Sequence, residues 1–146
     1  MHVLCFLLNL KSAYKIKPPV SNMVIGVGID LMEVERMATK ISKNSGFKEL
    51  VFSPDEITYC EQKTNRFEHY AARFAAKEAF FKALGTGWMQ GTLFNEIEIT
   101  HSETGKPQLS FLGDTANTIA LLQFSNISVS LTHVKAMASA VVIIEK

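Results

Sequence analysis

Four charged side chains lie along one helix-forming stretch between Arg73 and Gly87, and their residue types are ones that can bind phosphate groups and metal cations. The stretch reads RFAAKEAFFKALGTG, which is rich in strong helix formers and contains no proline. Arg73 and Lys77 lie four residues apart and share one helix face, while Glu78 and Lys82 share a neighbouring face. Guanidinium groups bind phosphate through forked donors, and carboxylates bind hard divalent cations. The simpler alternative is a solvated helix side that carries one ordinary Glu–Lys pair.

A second stretch, VIGVGIDLMEVER from Val24 to Arg36, supplies another carboxylate. Its β-branched and glycine residues predict a strand that ends near Ile29, with close backbone approach. Asp30 and the three residues that follow are close to a capping box, so Asp30 is predicted to open a helix as its N-cap. A carboxylate at such a junction is held rigidly, and it can also point into a cleft.

Together these stretches resemble the holo-[acyl carrier protein] synthase family, the small 4'-phosphopantetheinyl transferases. The long motif is present in full, and the early Gly-x-Asp motif and its downstream arginine are present as Gly28, Asp30 and Arg36. Two later pieces also resemble the family, Gly105-Lys-Pro107 and Val129-Ser-Leu-Thr-His133. The resemblance extends roughly from residue 23 to residue 146.

The resemblance implies a reaction. The family moves phosphopantetheine from coenzyme A to a serine of apo acyl carrier protein and releases adenosine 3',5'-bisphosphate. Attack at phosphorus in a pyrophosphate needs charge neutralisation and alignment. Asp30 and Glu78 are therefore expected to hold Mg²⁺, and Lys82 to lie near the transferring phosphate, with an intrahelical pair to Glu78 as its structural alternative. The general base stays open between Glu78, a water on the cation and another water.

The resemblance also implies residues that bind coenzyme A. Arg73 and His133 match residues that grip its 3'-phosphate, and Thr132 adds a hydroxyl at the same place. Lys77 matches the motif, either as a phosphate contact or as a structural pair. The loop after the long helix is expected to hold the nucleotide end through Gly85, Thr86 and Gly87. His69, one turn before Arg73, is interpreted as a surface residue.

A basic helix is predicted after the first strand, and it suits an acidic partner. Arg36, Lys40 and Lys43 fall broadly on its outer side, opposite an apolar stripe that includes Leu31. In the family, basic residues of this helix dock the carrier protein, and charge complementarity steers such encounters. Glu35 adds a negative charge, which does not suit an acidic partner. The alternative for each lysine is an ordinary solvated position on the helix.

The family forms trimers with active sites between subunits. If that holds here, one chain supplies Asp30 and Glu78, while Thr132 and His133 come from the next. The rival hypothesis is a non-catalytic module of the same fold that binds coenzyme A or acyl carrier protein. Such a module could lose Asp30, Glu78 or Lys82 without penalty, and all three are present.

Composition sets the bounds for these expectations. The chain has 146 residues, a formal net charge of +1 and 47% hydrophobic residues, which indicates one globular domain without a nucleic-acid or membrane preference. Its two cysteines lack metal-ligand or redox spacing, and we expect a cytoplasmic enzyme. Residues 1–22 do not match the family, and we interpret them as a mis-called start or a disordered tail. Residues 23–146 are expected to form the transferase domain.

The order of elements predicts an α+β fold, in which a mainly antiparallel sheet packs with the long helix. A helix is predicted to start at Ser53, with Pro54 at its first position and Glu56 at its third. Alternating residues predict a hairpin around Gly105. The final apolar strand, from about residue 137 to residue 144, is expected to be central in the sheet or to lie at a subunit contact.

Overall fold

The computed structural model describes residues 22–43 and 45–146. The interpretation of residues 1–22 therefore lies outside the described residues, except for Asn22. In chain order the elements are β1 (Val24–Glu33), α1 (Val34–Ser42), α2 (Phe47–Val51), α3 (Pro54–Glu61), α4 (Arg66–Leu84), a 3-10 turn (Phe94–Glu96), β2 (Ile97–His101), β3 (Pro107–Phe111), α5 (Gly113–Ala120), β4 (Asn126–His133) and β5 (Met137–Glu145).

The predicted α+β class is confirmed. Three antiparallel strands form one sheet in the order β1-β5-β4, and β2 pairs with β3 in a separate hairpin. The long helix α4 packs against all three strands of the sheet. The last strand, β5, is central in this sheet, which was one of its two predicted positions. No helix in the described part of the chain is both long and apolar enough to cross a membrane.

The contact between α4 and β1 is unusually close because both surfaces lack large side chains. Alanines form the buried side of α4, including Ala79 and Ala83. Gly26 and Gly28 lie two residues apart on β1 and therefore face the same way, toward α4. A Cβ atom at Gly28 would lie 1.9 Å from the carbonyl oxygen of Ala79, and one at Gly26 would lie 2.1 Å from that of Ala83. Only glycine allows this backbone approach.

The prediction that Asp30 opens a helix is wrong. Asp30 lies inside β1 opposite Ala140, and the strand continues to Glu33 before α1 begins. Glu33 stands at the N-cap and makes no side-chain capping bond. The reason is long-range, because β5 offers ladder hydrogen bonds as far as Met137, and these override the local capping signal. As a result, Leu31 lies on the strand and is 62% exposed, instead of lining the apolar stripe of the helix.

The alternation of side chains gives the three-stranded sheet two different faces. One face, which includes Asp30 and Met32, is turned toward α4. The other face is formed by Val27, Ile29 and Leu31 of β1 together with alternate residues of β4 and β5, and we call it the open face. Val27, Ile29 and Leu31 are 61%, 65% and 62% exposed. Among the described residues nothing covers this apolar surface.

A buried ion pair fixes α4 to the other helices. The predicted helix start at Ser53 is confirmed as a capping box with Glu56. The carboxylate of Glu56 accepts a hydrogen bond from Lys77 Nζ at 2.6 Å. Lys77 also donates to the carbonyl oxygens of Val51 (2.6 Å) and Phe94 (2.9 Å), so its three donors are satisfied. Burial lowers the pKa of Lys77, and the Glu56 carboxylate opposes that shift.

Replacement of Gly28 tests the contact between α4 and β1. We expect Gly28→Ala to lower the free energy of unfolding by about 3 kcal/mol, because the new methyl group must displace backbone. Gly105→Ala is the matched control: Gly105 has φ of 81° and open space around it, so only local strain of about 1 kcal/mol applies. Urea titrations of both variants measure the difference. Equal losses would contradict the proposed steric role.

Replacement of Lys77 tests whether this lysine is structural. We expect Lys77→Met to lower the free energy of unfolding by about 3–5 kcal/mol, because Glu56 is left buried without its cation. Lys48→Met removes an exposed lysine that lies 3.4 Å from Glu61, and it is expected to cost less than about 1 kcal/mol. Thermal and urea denaturation would report both values. A Lys77 variant as stable as the Lys48 control would show the buried pair to be dispensable.

Candidate active site

The predicted residues collect into two clusters on α4, and the first lies beside the edge strand β1. Lys82 Nζ donates to Asp30 Oδ1 at 2.7 Å and to the carbonyl oxygen of Ile29 at 3.1 Å. The ammonium group of Lys82 thus pairs with Asp30, and the alternative of an intrahelical pair with Glu78 is not what the structure shows. Ser139 Oγ donates to the Asp30 carbonyl oxygen at 2.8 Å and ties this segment of β1 to β5.

Glu78 lies on the same side of α4 and is half-buried. Burial raises the pKa of Glu78, the nearby Asp30 carboxylate raises it further, and the Lys82 ammonium opposes both effects. Within the described residues its carboxylate accepts no hydrogen bond. Two carboxylates and one ammonium therefore meet at this edge, and the negative charge on Glu78 lacks a dedicated partner.

This donor set fits a hard divalent cation that is shared with a substrate. Among the described residues no group of three or more His, Cys, Asp or Glu side chains is arranged to hold a metal ion. Asp30 and Glu78 supply only two carboxylates, which leaves other coordination positions for water and phosphate oxygens. Mg²⁺ binds in this manner, through one or two carboxylates together with substrate phosphates. A cavity of about 400 Å³ opens beside the pair and is lined by Ile29, Asp30, Leu31, Lys82 and Ser139.

The second cluster lies on the opposite flank of α4, in a cavity of about 240 Å³ between α3, α4, β2 and β4. Arg73 and His133, the two residues predicted to bind phosphate, both line it. Arg73 is only 4% exposed. Among the described residues its Nε atom has no hydrogen-bond partner and lies 3.9 Å from Glu56 Oε1, while its guanidinium stands 4.1 Å from the ring centroid of Tyr59. The cavity therefore has a buried, positively charged guanidinium in its wall, which suits an anion.

Glu68 orients His133, and the sequence did not indicate it. Oε2 of Glu68 lies 2.8 Å from Nδ1 of His133. The other imidazole nitrogen, Nε2, therefore remains for a different partner. A hydrogen bond from Asn65 and then the contact with His133 lower the pKa of Glu68. Sixty-five residues separate Glu68 from His133 along the chain, so no local pattern could have revealed the pair.

His69 was predicted to be a surface residue, and the structure instead places it in the wall of this cavity. Its ring meets His133 edge-on with centroids 5.1 Å apart, and it meets Tyr59 at 5.6 Å. His101 lines the same cavity and stacks on Tyr59 at 5.7 Å. No sequence pattern indicates a role for Tyr59 or His101. All three residues come from different elements, which only the tertiary fold brings together.

Two predicted coenzyme A residues lie elsewhere. Lys77 is fully buried among protein acceptors and lines neither cavity, which favours the structural alternative over a phosphate contact. Thr132 lies opposite Ser139, next to His133 on β4, so the two side chains point to opposite faces of the sheet. Thr132 therefore belongs to the open face, and it does not add a hydroxyl beside His133 within one chain.

The predicted glycine loop begins where α4 ends. Gly85 closes the helix with φ of 73°, as its position after the last apolar residue predicted. Gly87 also has a positive φ of 65°, and Thr86 between them is exposed. Lys82 lies one turn before Gly85, so the loop starts near the first cluster and leaves backbone groups accessible.

The basic helix α1 presents part of the expected surface. Arg36 and Lys43 are exposed. Lys40 is half-buried, with its ammonium 4.9 Å from the ring centroid of Phe47. Met37 is buried on the opposite side, as the amphipathic pattern of this helix requires.

The two clusters do not form one site within a single chain. Arg73 and Lys82 are nine residues apart, which is two and a half turns, so they project from opposite flanks of α4. Along the helix axis they are separated by about 13 Å. The cavities beside them share no lining residue.

Comparisons with known proteins find similar chains of one kind. The chain is 44% identical to the holo-[acyl-carrier-protein] synthase of Solibacter usitatus over 124 residues, which span 84% of the chain and 99% of that relative. It is 46% identical to the holo-[acyl-carrier-protein] synthase of Cytophaga hutchinsonii over 129 residues, spanning 85% of the chain and 99% of that relative.

Solved structures give the same result. The crystal structure of the holo-[acyl-carrier-protein] synthase from Neisseria meningitidis superposes with a TM-score of 0.78 at 30% identity, covering 85% of this chain and 100% of that one. The Bacillus anthracis synthase, solved in complex with CoA (3',5'-ADP), gives a TM-score of 0.70 at 31% identity and covers 85% and 98%. The family model of the 4'-phosphopantetheinyl transferase superfamily matches residues 26–137. The chain therefore belongs to the 4'-phosphopantetheinyl transferase superfamily.

Proposed function

We propose that this protein transfers 4'-phosphopantetheine from coenzyme A to a serine of apo acyl carrier protein, releasing adenosine 3',5'-bisphosphate. The observation that carries the proposal is the cluster of Asp30, Glu78 and Lys82 at the edge of β1, where Asp30 and Lys82 line an open cavity and the Glu78 carboxylate lies nearby. The relatives are named holo-[acyl-carrier-protein] synthases, and one similar structure was solved with coenzyme A.

Each cluster has a separate task in this reaction. Asp30 and Glu78 would hold Mg²⁺, which neutralises charge on the pyrophosphate when it is bound. The Lys82 ammonium opposes the negative charge that grows on the transferring phosphoryl group. Arg73 and His133, which line the second cavity, bind the 3'-phosphate at the other end of the nucleotide through charge-assisted hydrogen bonds.

The acyl carrier protein is proposed to dock against α1. Arg36 and Lys43 are exposed and carry positive charge there. Lys40 adds a third positive charge, although this residue is half-buried against Phe47. Acidic carrier proteins would be steered by this charge, which acts on the association rate more than on affinity. The two cysteines lack metal-ligand or redox spacing, and reduced thiols of this kind suit the cytoplasm. We therefore propose the cytoplasm as the compartment.

The active protein is proposed to be a homotrimer with its sites between subunits. The two clusters lie on opposite flanks of α4, so one extended coenzyme A would be served best by the first cluster of one chain and the second cluster of its neighbour. The open face gives such a neighbour an apolar surface, since Ile29 and Leu31 are mostly exposed. These two residues also line the cavity beside Asp30, so a subunit covering the open face would close that cavity.

A transfer assay tests the proposed reaction. Purified protein is incubated with apo acyl carrier protein, coenzyme A and Mg²⁺, and the carrier is weighed by intact mass spectrometry. We expect a phosphopantetheine mass gain that requires Mg²⁺ and falls at least about a hundredfold in Asp30→Ala and in Glu78→Ala. Wild type that binds coenzyme A without modifying the carrier would support the binding module instead. Full activity in both variants would refute the carboxylate assignment.

A subunit-mixing experiment tests the shared site. Asp30→Ala and His133→Ala chains are each expected to be inactive. Mixed in equal amounts with random assembly, they should recover about one quarter of wild-type activity, because each site then draws one residue from each of two chains. No recovery would place both residues of a site in the same chain. Mixing Asp30→Ala with Glu78→Ala is the matched control and should restore nothing, since both changes affect one cluster.

A further inference from the structure

The cavity that holds Arg73 contains more imidazole groups than the proposed reaction uses. His69, His101 and His133 all line it, together with Tyr59. Within the described part of the chain, His133 alone of the three has a carboxylate partner, Glu68 at 2.8 Å. His69 and His101 contact aromatic rings, and within the described residues neither is hydrogen-bonded to another side chain.

Burial and nearby cations disfavour a positive charge on these two imidazoles. Burial, followed by His133, Arg73 and Lys63, lowers the pKa of His69, and Glu68 opposes the shift. Burial, followed by Arg73 and Lys63, lowers the pKa of His101. The titratable groups that surround the pair come from several elements and from the turn after α3: Asp55, Glu56, Tyr59, Lys63, Glu68, Arg73, Glu98 and His133.

We propose that His69 and His101 are binding residues for a phosphomonoester dianion in this cavity, and that they gain protons when the anion binds. The inference rests on the proposed function, because it takes the anion to be the 3'-phosphate of coenzyme A. An incoming dianion offsets the repulsion from Arg73 and Lys63 and stabilises the imidazolium forms. Arg73, which lines the same cavity and is almost fully buried, gives the anion a positive charge held in place.

The sign of the effect follows from linkage. Groups that are mainly neutral in the free protein and become charged in the complex take up protons on binding, so affinity rises as the pH falls. Coenzyme A and dephospho-coenzyme A differ only in the 3'-phosphate. The ratio of their affinities therefore isolates the contribution of this cavity and removes effects at the pyrophosphate.

Calorimetric titration of the wild-type protein tests the inference with both ligands between pH 6.5 and 8.5. We expect the preference for coenzyme A over dephospho-coenzyme A to increase about three- to tenfold as the pH falls, since a shift of one pKa unit is worth a factor of ten. Buffers with different ionisation enthalpies should show proton uptake for coenzyme A alone.

The test variant combines His69→Phe and His101→Phe, which keep the ring contacts with Tyr59 and remove the titrating nitrogens. In this variant the rise in preference should be lost, and the phosphate's own titration near pH 6 should leave only a small fall in preference at the lowest pH. That fall is equal in both proteins. The corresponding Gln variants serve if the Phe variant does not fold. Lys146→Gln removes a positive charge at the exposed end of β5 and should behave as wild type.

The outcomes separate this inference from the proposed function. The same pH dependence in wild type and in the double variant would overturn the role of His69 and His101. A wild-type preference that does not change with pH would overturn it as well, even if transfer to the carrier protein proceeds normally. Absence of both transfer and coenzyme A binding in the wild type would refute the proposed function, and this inference with it.

Discussion

The close approach of α4 to β1 is the constraint on which the rest of the structure depends. Two glycines on the strand meet an alanine-lined helix, so that backbone packs directly on backbone. This contact lets the Lys82 side chain, one residue before Ala83, reach the edge of the strand and bond Asp30 and the Ile29 carbonyl oxygen. A wider spacing would separate Asp30 on the strand from Glu78 and Lys82 on the helix. The same close contact between α4 and β1 therefore determines both the packing of the core and the geometry of the first cluster.

The sequence predicted those features whose cause is local. The capping box at Ser53 formed because its partners lie three residues apart, and Gly85 ended α4 because a left-handed residue is needed there. The α+β class and the antiparallel strands followed from alternation and turn signals. The first cluster was predicted from motif matches, and the structure brings Asp30, Glu78 and Lys82 together as expected.

The errors have long-range causes. Asp30 carries a helix-start pattern, yet pairing with β5 keeps it in a strand. Lys77 was ambiguous by spacing alone, and its partner Glu56, which lies 21 residues away, decides its role. Glu68, His69 and His101 escaped notice because the cavity wall is assembled from α3, α4, β2 and β4. No periodicity within one segment encodes such an assembly.

The charges of α4 divide according to how well the protein satisfies them. Lys77 has three acceptors and lies in the core, so its interactions are complete in the folded chain and leave nothing for a ligand. Arg73 is equally inaccessible, but its Nε lacks a partner, and Glu78 carries a charge that burial and Asp30 disfavour. Both residues therefore cost stability in the free protein. A phosphate at Arg73 and a cation at Glu78 would each remove part of that cost, so binding free energy is available at the two positions that the proposed reaction requires.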